Sequence, residues 1–130
     1  MWQQTNQKIN CFISGFGTGG TITGVGRFLR AKNLELKIIG VQPSENSFIL
    51  GIKNMKVVKE IPSIFHPEEL DGTVTVMEEE ALSIAKLIVS ATSLVVGRSS
   101  DASIAGVYKY LLTSDLCKKS NIVTIFPDGG

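Results

Sequence analysis

Short apolar runs alternate with amphipathic segments along this chain. Residues 9–14 form a brief apolar run that ends in glycines, and residues 36–41 form a second, β-branched run that Pro43 terminates. Between them, residues 21–31 place apolar side chains at helical spacing, namely Ile22, Val25, Phe28 and Leu29. The pattern predicts a strand, a glycine loop, a helix and a second strand, and strands connected in this way are parallel with a right-handed crossover.

Residues 44–72 break this regular pattern. Gly51, Pro62 and Pro67 interrupt short apolar pieces there, and an irregular stretch of this length is commonly a functional loop. Alternating strands and helices predict an α/β fold with a mostly parallel sheet and helices on both faces. The later elements are predicted as a strand at 73–76, a helix at 77–89, a buried strand at 94–96, a helix at 103–112 and a strand at 121–126.

Composition limits the classes of partner. A chain of 130 residues with 43% hydrophobic content suffices for one compact domain, which we assign to residues 1–130. Thirteen basic and twelve acidic residues are scattered along it, so we expect no nucleic-acid partner and no anionic membrane. The N-terminus resembles no leader and no apolar stretch approaches the roughly 18 residues of a membrane span, which favours a soluble, cytoplasmic protein.

Few residues offer metal or nucleophilic chemistry. Cys11, Cys117 and the single histidine, His66, are not at metal-ligand spacing, so no metal site is predicted. Cys11 falls in an apolar run and is expected in the core, and Cys117 is expected as a reduced thiol near a helix end. The acidic run at 78–80 opens a predicted helix, where negative charge is favoured. No catalytic residue is assigned.

The glycine loop is the strongest functional signal. Residues 14–21 contain four glycines in six positions between a strand and a helix, where backbone amides point at an anion. No lysine or arginine lies in the loop, so binding would use amides, the hydroxyls of Thr18 and Thr21, and the helix dipole. A phosphate is the expected ligand, and a purely structural turn is the simpler alternative.

A dinucleotide is a second possible ligand. Gly15, Gly17 and Gly20 satisfy the G-x-G-x-x-G pattern of dinucleotide-binding domains. That pattern is completed by an acidic residue at the end of the second strand, and residues 40–43 contain none. Glu45 lies beyond the expected place, so this alternative is less favoured.

Longer stretches resemble one enzyme family. Residues 15–24, Gly-Phe-Gly-Thr-Gly-Gly-Thr-Ile-Thr-Gly, followed by residues 38–43, Ile-Ile-Gly-Val-Gln-Pro, resemble the cysteine synthase and cystathionine β-synthase family of fold-type II pyridoxal-phosphate enzymes. The resemblance covers nearly the whole chain, and corresponds to only the C-terminal half of a family member. Further similarity, closest to the B-type cysteine synthases, lies at residues 51–54, 61–65, 96–100 and 121–127.

The resemblance implies a cofactor and its contacts. The cofactor is pyridoxal 5'-phosphate (PLP), and Ser99 faces its pyridine nitrogen. Without the resemblance, Ser99 and Ser100 would be interpreted as helix N-caps. The implied reaction replaces the β-substituent of O-acetylserine or O-phosphoserine with sulfide to give cysteine, in a homodimeric enzyme acting on a small amino-acid substrate. The residues implied to hold the cofactor phosphate are Gly17, Thr18, Gly19, Gly20 and Thr21.

Some of the family pattern is missing. The lysine that forms the Schiff base lies upstream of the glycine loop in this family, and no lysine of this chain stands in its motif. The domain is therefore expected to be incomplete, and the isolated chain inactive. Arg98 and Asp101 also depart from the pattern, either flanking the cofactor ring or pairing with each other. A non-catalytic interaction module and a dinucleotide-binding domain are the alternative functions.

Overall fold

A computed structural model describes residues 1–17, 19–55, 57, 62–114 and 120–127. Its elements are β1 (Cys11–Gly15), α1 (Gly20–Lys32), β2 (Lys37–Pro43), β3 (Gly72–Val76), α2 (Glu78–Thr92), α3 (Arg98–Thr113) and β4 (Ile122–Val123). A single turn of 3-10 helix, Pro67–Glu69, precedes β3. The four strands are all parallel and lie in the order β3-β2-β1-β4, which confirms the predicted α/β class.

The two central strands are buried on both faces because helices cover each side. Alternate residues of β1 and β2 enter different clusters, since side chains alternate across a strand. Phe12 and Ile38 pack with Ile22 and Leu29 of α1. On the other face, strand residues including Cys11, Ile13, Ile39 and Val41 pack with Ala81 of α2 and Ala102 and Ala105 of α3.

The centre of the sheet joins distant parts of the chain. β1 pairs with β2 along its full length, from Cys11 with Lys37 to Gly15 with Val41. On its other side it pairs with β4 only at Cys11 and Phe12. The ladder between β1 and β4 therefore ends three residues before β1 does.

Three predicted elements differ from the structure, and one is the last strand, which covers Ile122–Val123 rather than 121–126. The predicted buried strand at 94–96 is wrong: Leu94 and Val95 are 54% and 64% exposed, and only Val96 carries an isolated bridge. β-branched residues form a strand only beside a partner, and none pairs with this segment along its length within the described ranges. The last predicted helix starts at Arg98 rather than 103, since Gly97 serves as its N-cap.

Cys11 lies in the core, as predicted from its apolar surroundings. It is a free, fully buried thiol. Burial, with a smaller contribution from the Asp71 carboxylate, raises the pKa of the Cys11 thiol to about 12. Since the thiolate is the reactive form, Cys11 is chemically inert at neutral pH. Cys117 lies outside the described residues.

The outer surface of the helical layer is unusually apolar. Within α2 only Ala81 is buried, and Leu87 is 62% exposed. On α3, Tyr108, Leu111 and Leu112 are all exposed at spacings that share one helix face. Surfaces of this kind are typical of sites where further polypeptide packs. No helix among the described residues is long and apolar enough to cross a membrane.

Candidate functional site

The glycine loop connects β1 directly to α1. Gly19 is the N-cap of α1 and has φ 90°, a left-handed conformation that side chains rarely adopt. A Cβ there would lie 2.8 Å from Cβ and 3.2 Å from Cα of Phe65. The Phe65 ring also packs against Phe16, with centroids 4.8 Å apart. Only glycine fits at position 19, because Phe65 packs directly against the loop there.

The first turn of α1 carries no acidic side chain. The N-cap residue Gly19 makes no side-chain hydrogen bond, while Arg30 and Lys32 lie in the last turn. The positive end of the helix dipole and the first amides therefore meet no protein carboxylate in that turn. Binding of an anion at this loop stays a prediction from the sequence.

A cavity of about 320 Å³ lies in front of the loop. It brings together residues that are far apart in the sequence, including Ser99 from the first turn of α3. Of the predicted site residues, Thr18 lies outside the described part of the chain. The other five all line this cavity, namely Gly17, Gly19, Gly20, Thr21 and Ser99.

Sequence reasoning missed two residues in the wall of this cavity. Gly51 also has a left-handed backbone, with φ 92°, and a Cβ there would lie 3.1 Å from Cβ of Ser99. Its carbonyl oxygen lies 2.9 Å from where a Cβ of Gly17 would be, so the turn at Gly51 fills the space between loop and helix. Ser103 is the second, and it bonds to both sides of the cavity. The signals for Gly51 were its place as a glycine in the irregular segment and the family similarity at residues 51–54.

Ser99 and Ser100 are inside α3 rather than at its cap. Gly97 is the N-cap and no side chain caps the helix, so the interpretation of the serines as N-caps is wrong. Ser99 is 8% exposed and lies in the cavity wall. Ser100 is fully buried and its hydroxyl has no hydrogen-bond partner within the described part of the structure.

Arg98 and Asp101 do not line the cavity. Arg98 forms an ion pair with Glu78 of α2, Nη2 to Oε1 at 3.5 Å, and its charge acts on Asp101 only at longer range. Asp101 is 4% exposed. Burial raises the pKa of its carboxyl above the ordinary 3.8, and the Arg98 charge only partly opposes this. Neither departure from the family pattern therefore lies in the cavity wall, and Arg98 instead joins α3 to α2.

Replacing Asp101 should stabilise the fold at neutral pH. Because its pKa is raised on folding, the folded state holds the proton more tightly, and stability is lost as pH rises above about 3.8. Asp101→Asn should therefore raise the Tm at pH 7, with a gain that shrinks towards pH 4. Thermal unfolding followed by circular dichroism across this range measures the effect. Glu45→Gln, at an exposed loop residue, is the matched control. A lower Tm for Asp101→Asn at pH 7 would contradict the prediction.

A parallel α/β fold with a glycine-rich loop between a strand and a helix is typical of proteins that bind phosphate groups. Residues 1–128 match the family model described as pyridoxal-phosphate dependent enzyme, and the chain belongs to that family. The family's cofactor is pyridoxal phosphate, which confirms the resemblance seen in the sequence and disfavours a dinucleotide. Within the described residues, no group of three histidine, cysteine, aspartate or glutamate side chains could hold a metal ion.

The curated relatives that this chain matches include cysteine synthases. It is 38% identical to cysteine synthase from Aquifex aeolicus (strain VF5) over 135 residues, covering 100% of this chain and 40% of that protein. It is 34% identical to cysteine synthase B from Escherichia coli (strain K12), covering 84% of this chain and 36% of that protein. The chain thus spans about two fifths of the length of the curated relatives it matches.

A solved structure gives the same result for the fold. O-acetylserine dependent cystathionine beta-synthase from Helicobacter pylori superposes with a TM-score of 0.85 at 30% identity. That match covers 98% of this chain and 43% of the other. The fold is therefore that of a fold-type II enzyme, represented by part of its length.

Proposed function

We propose that residues 1–130 are one incomplete cofactor-binding domain, the C-terminal part of a PLP-dependent β-replacement enzyme. The proposed reaction is that of a cysteine synthase, in which O-acetylserine or O-phosphoserine reacts with sulfide to give cysteine. The observation that carries the proposal is the cavity itself, because the glycine loop and Ser99 line one space of about 320 Å³. The names of the relatives support the reaction class.

The residues present fit the cofactor at both of its ends. Amides of Gly17, Gly19 and Gly20 and the hydroxyls of Thr18 and Thr21 would hold the phosphate, at the positive end of α1. Backbone donors suit a group that carries about −1.5 to −2 charges at neutral pH. A side chain added at Gly19 would meet Phe65, and glycine there lets the backbone itself form the cradle.

Ser99 would act on the ring of the cofactor rather than on its phosphate. Its hydroxyl would donate a hydrogen bond to the pyridine nitrogen, and because a hydroxyl is a very weak acid the proton stays on Ser99. When bound, PLP supplies an electron sink for the amino-acid substrate, and an unprotonated ring weakens that sink. Such tuning suits reactions in which a leaving group on the β-carbon removes the electrons.

The proposal leaves the catalytic base outside this chain. The complete protein is proposed to be a cytoplasmic homodimer in which the remaining polypeptide brings the Schiff-base lysine and the substrate carboxylate site. A non-catalytic interaction module with the same fold is the alternative function. The exposed apolar surface on α2 and α3 supports packing against more polypeptide in either case.

The phosphate contacts are tested by removing the two loop hydroxyls. Thr18→Ala and Thr21→Ala should each weaken the binding of pyridoxal phosphate by one charge-assisted hydrogen bond, about 1.5–3 kcal/mol. Fluorescence or calorimetric titration measures the affinity. Thr73→Ala, at an exposed position of β3 away from the cavity, should leave it unchanged. If both loop variants bind as tightly as the parent, the assigned pocket is wrong.

A further inference from the structure

Ser103 connects the start of the glycine loop with Ser99 through one hydroxyl group. Its Oγ accepts a hydrogen bond from the backbone N–H of Gly15 at 3.1 Å and donates one to the carbonyl oxygen of Ser99 at 2.9 Å. Ser103 is 2% exposed and lies in the wall of the cavity. From this geometry we infer that Ser103 is a positioning residue, which fixes the distance between the glycine loop and Ser99. The inference rests on the proposed function.

In β1, the hydrogen bond from Gly15 to Ser103 takes the place of a bond to a neighbouring strand. β4 pairs with β1 only at Cys11 and Phe12, so the ladder on that side stops before Gly15. The N–H of Gly15 is satisfied by Ser103 instead. A buried amide without a partner is costly, so the end of β1 is tied to α3 at the point where the glycine loop begins.

The helix side of the link explains why a serine suits this position. Ser103 follows Ser99 by one helical turn, and serine in a helix commonly bonds the carbonyl four residues earlier. Here Ser103 Oγ also accepts the hydrogen bond from the backbone N–H of Gly15 in β1. Apolar packing between α3 and the sheet restricts separation but is not directional, whereas the two hydrogen bonds restrict sliding of the helix along the strand.

Two probes separate loop binding from loop-to-helix spacing. Inorganic phosphate occupies only the loop. Pyridoxine 5'-phosphate carries the phosphate and the ring, and lacks the aldehyde that would couple to lysines. For Ser103→Ala in the 130-residue chain, we expect the dissociation constant of phosphate to rise less than about threefold and that of pyridoxine 5'-phosphate at least about tenfold. Calorimetric titration gives both constants.

Ser83→Ala is the matched control. The Ser83 hydroxyl donates to the carbonyl oxygen of Glu79 at 2.9 Å, the same bond to the preceding turn, but on an exposed face of α2. Neither constant should change in this variant. Hydrogen exchange adds an independent measure, because the Gly15 amide should exchange faster in Ser103→Ala and not in Ser83→Ala.

The outcomes distinguish this inference from the proposed function. If the dissociation constants of both ligands rise equally in Ser103→Ala, Ser103 only supports the loop. If neither dissociation constant changes, Ser103 has no positioning role. Either result overturns the inference and leaves the proposed function standing. If the parent chain binds neither probe, the proposed site fails and the role of Ser103 fails with it. Should Ser103→Ala unfold, Ser103→Cys, which retains a weak donor and acceptor, is expected to show the same unequal weakening.

Discussion

The purified chain, saturated with pyridoxal phosphate and given O-acetylserine and sulfide, should form no cysteine beyond what the free cofactor produces. Covalent catalysis of this kind needs a lysine amine at the cofactor aldehyde, which also serves as the base at the α-carbon. No lysine is among the described residues that line the cavity. Phosphate contacts alone would hold the cofactor without activating it.

The assay compares the chain with pyridoxal phosphate in the absence of protein. Binding is followed in parallel, since the loop should still take up the cofactor weakly and in competition with inorganic phosphate. The decisive contrary result is cysteine formation well above the control that disappears when one particular lysine is replaced. It would mean that this chain has a catalytic site of its own.

Gly19→Ala should abolish phosphate binding and destabilise the fold. A side chain at φ 90° is strained by roughly 1–2 kcal/mol, and overpacking adds about 1–3 kcal/mol. The new Cβ would lie 3.2 Å from Cα of Phe65, a backbone atom that cannot rotate away as the end of a side chain can. The free energy of unfolding should therefore fall by about 2–5 kcal/mol, with the first turn of α1 displaced.

Gly24 provides the matched glycine. It lies within α1, is exposed, and a Cβ added there meets no atom within 4 Å. Gly24→Ala should stabilise the helix by about 0.5–1 kcal/mol and leave phosphate binding unchanged. Urea unfolding and phosphate titration of both variants test the pair. Normal phosphate affinity in Gly19→Ala would rule out the loop as the anion site.

Local signals in the sequence predicted the first half of the fold well. β1, α1 and β2 follow the apolar periodicity to within a few residues, because each element is specified by its own side chains and the glycines between them. The prediction of a strand at 94–96 was wrong for the opposite reason. The β-branched residues of this segment indicate a strand, but strand formation depends on a partner that lies elsewhere in the chain.

The residues of the candidate site also differ in whether a local sequence signal indicates them. Gly17, Gly19, Gly20 and Thr21 form one contiguous motif, so their grouping could be predicted, whereas Ser99 entered only through the family resemblance. Ser103 carried no signal at all. Its bond to Gly15 crosses 88 residues, and neither composition nor spacing indicates such a contact before the sheet and helix are assembled.

The pairing of β1 with β4 has a consequence for synthesis of the protein. Asn10 and Asn121, at the start of this pairing, bond across 111 residues of sequence. At a translation rate of about 5–20 residues per second, the ribosome needs roughly 6–22 s to make the intervening chain. β2 and α1 are available to β1 early in that interval, but its other edge waits for residues 122–123. For those seconds the nascent chain presents the open edge of a strand whose residues Cys11, Phe12 and Ile13 are fully buried in the folded protein, the feature that chaperones must shield from other unfinished chains.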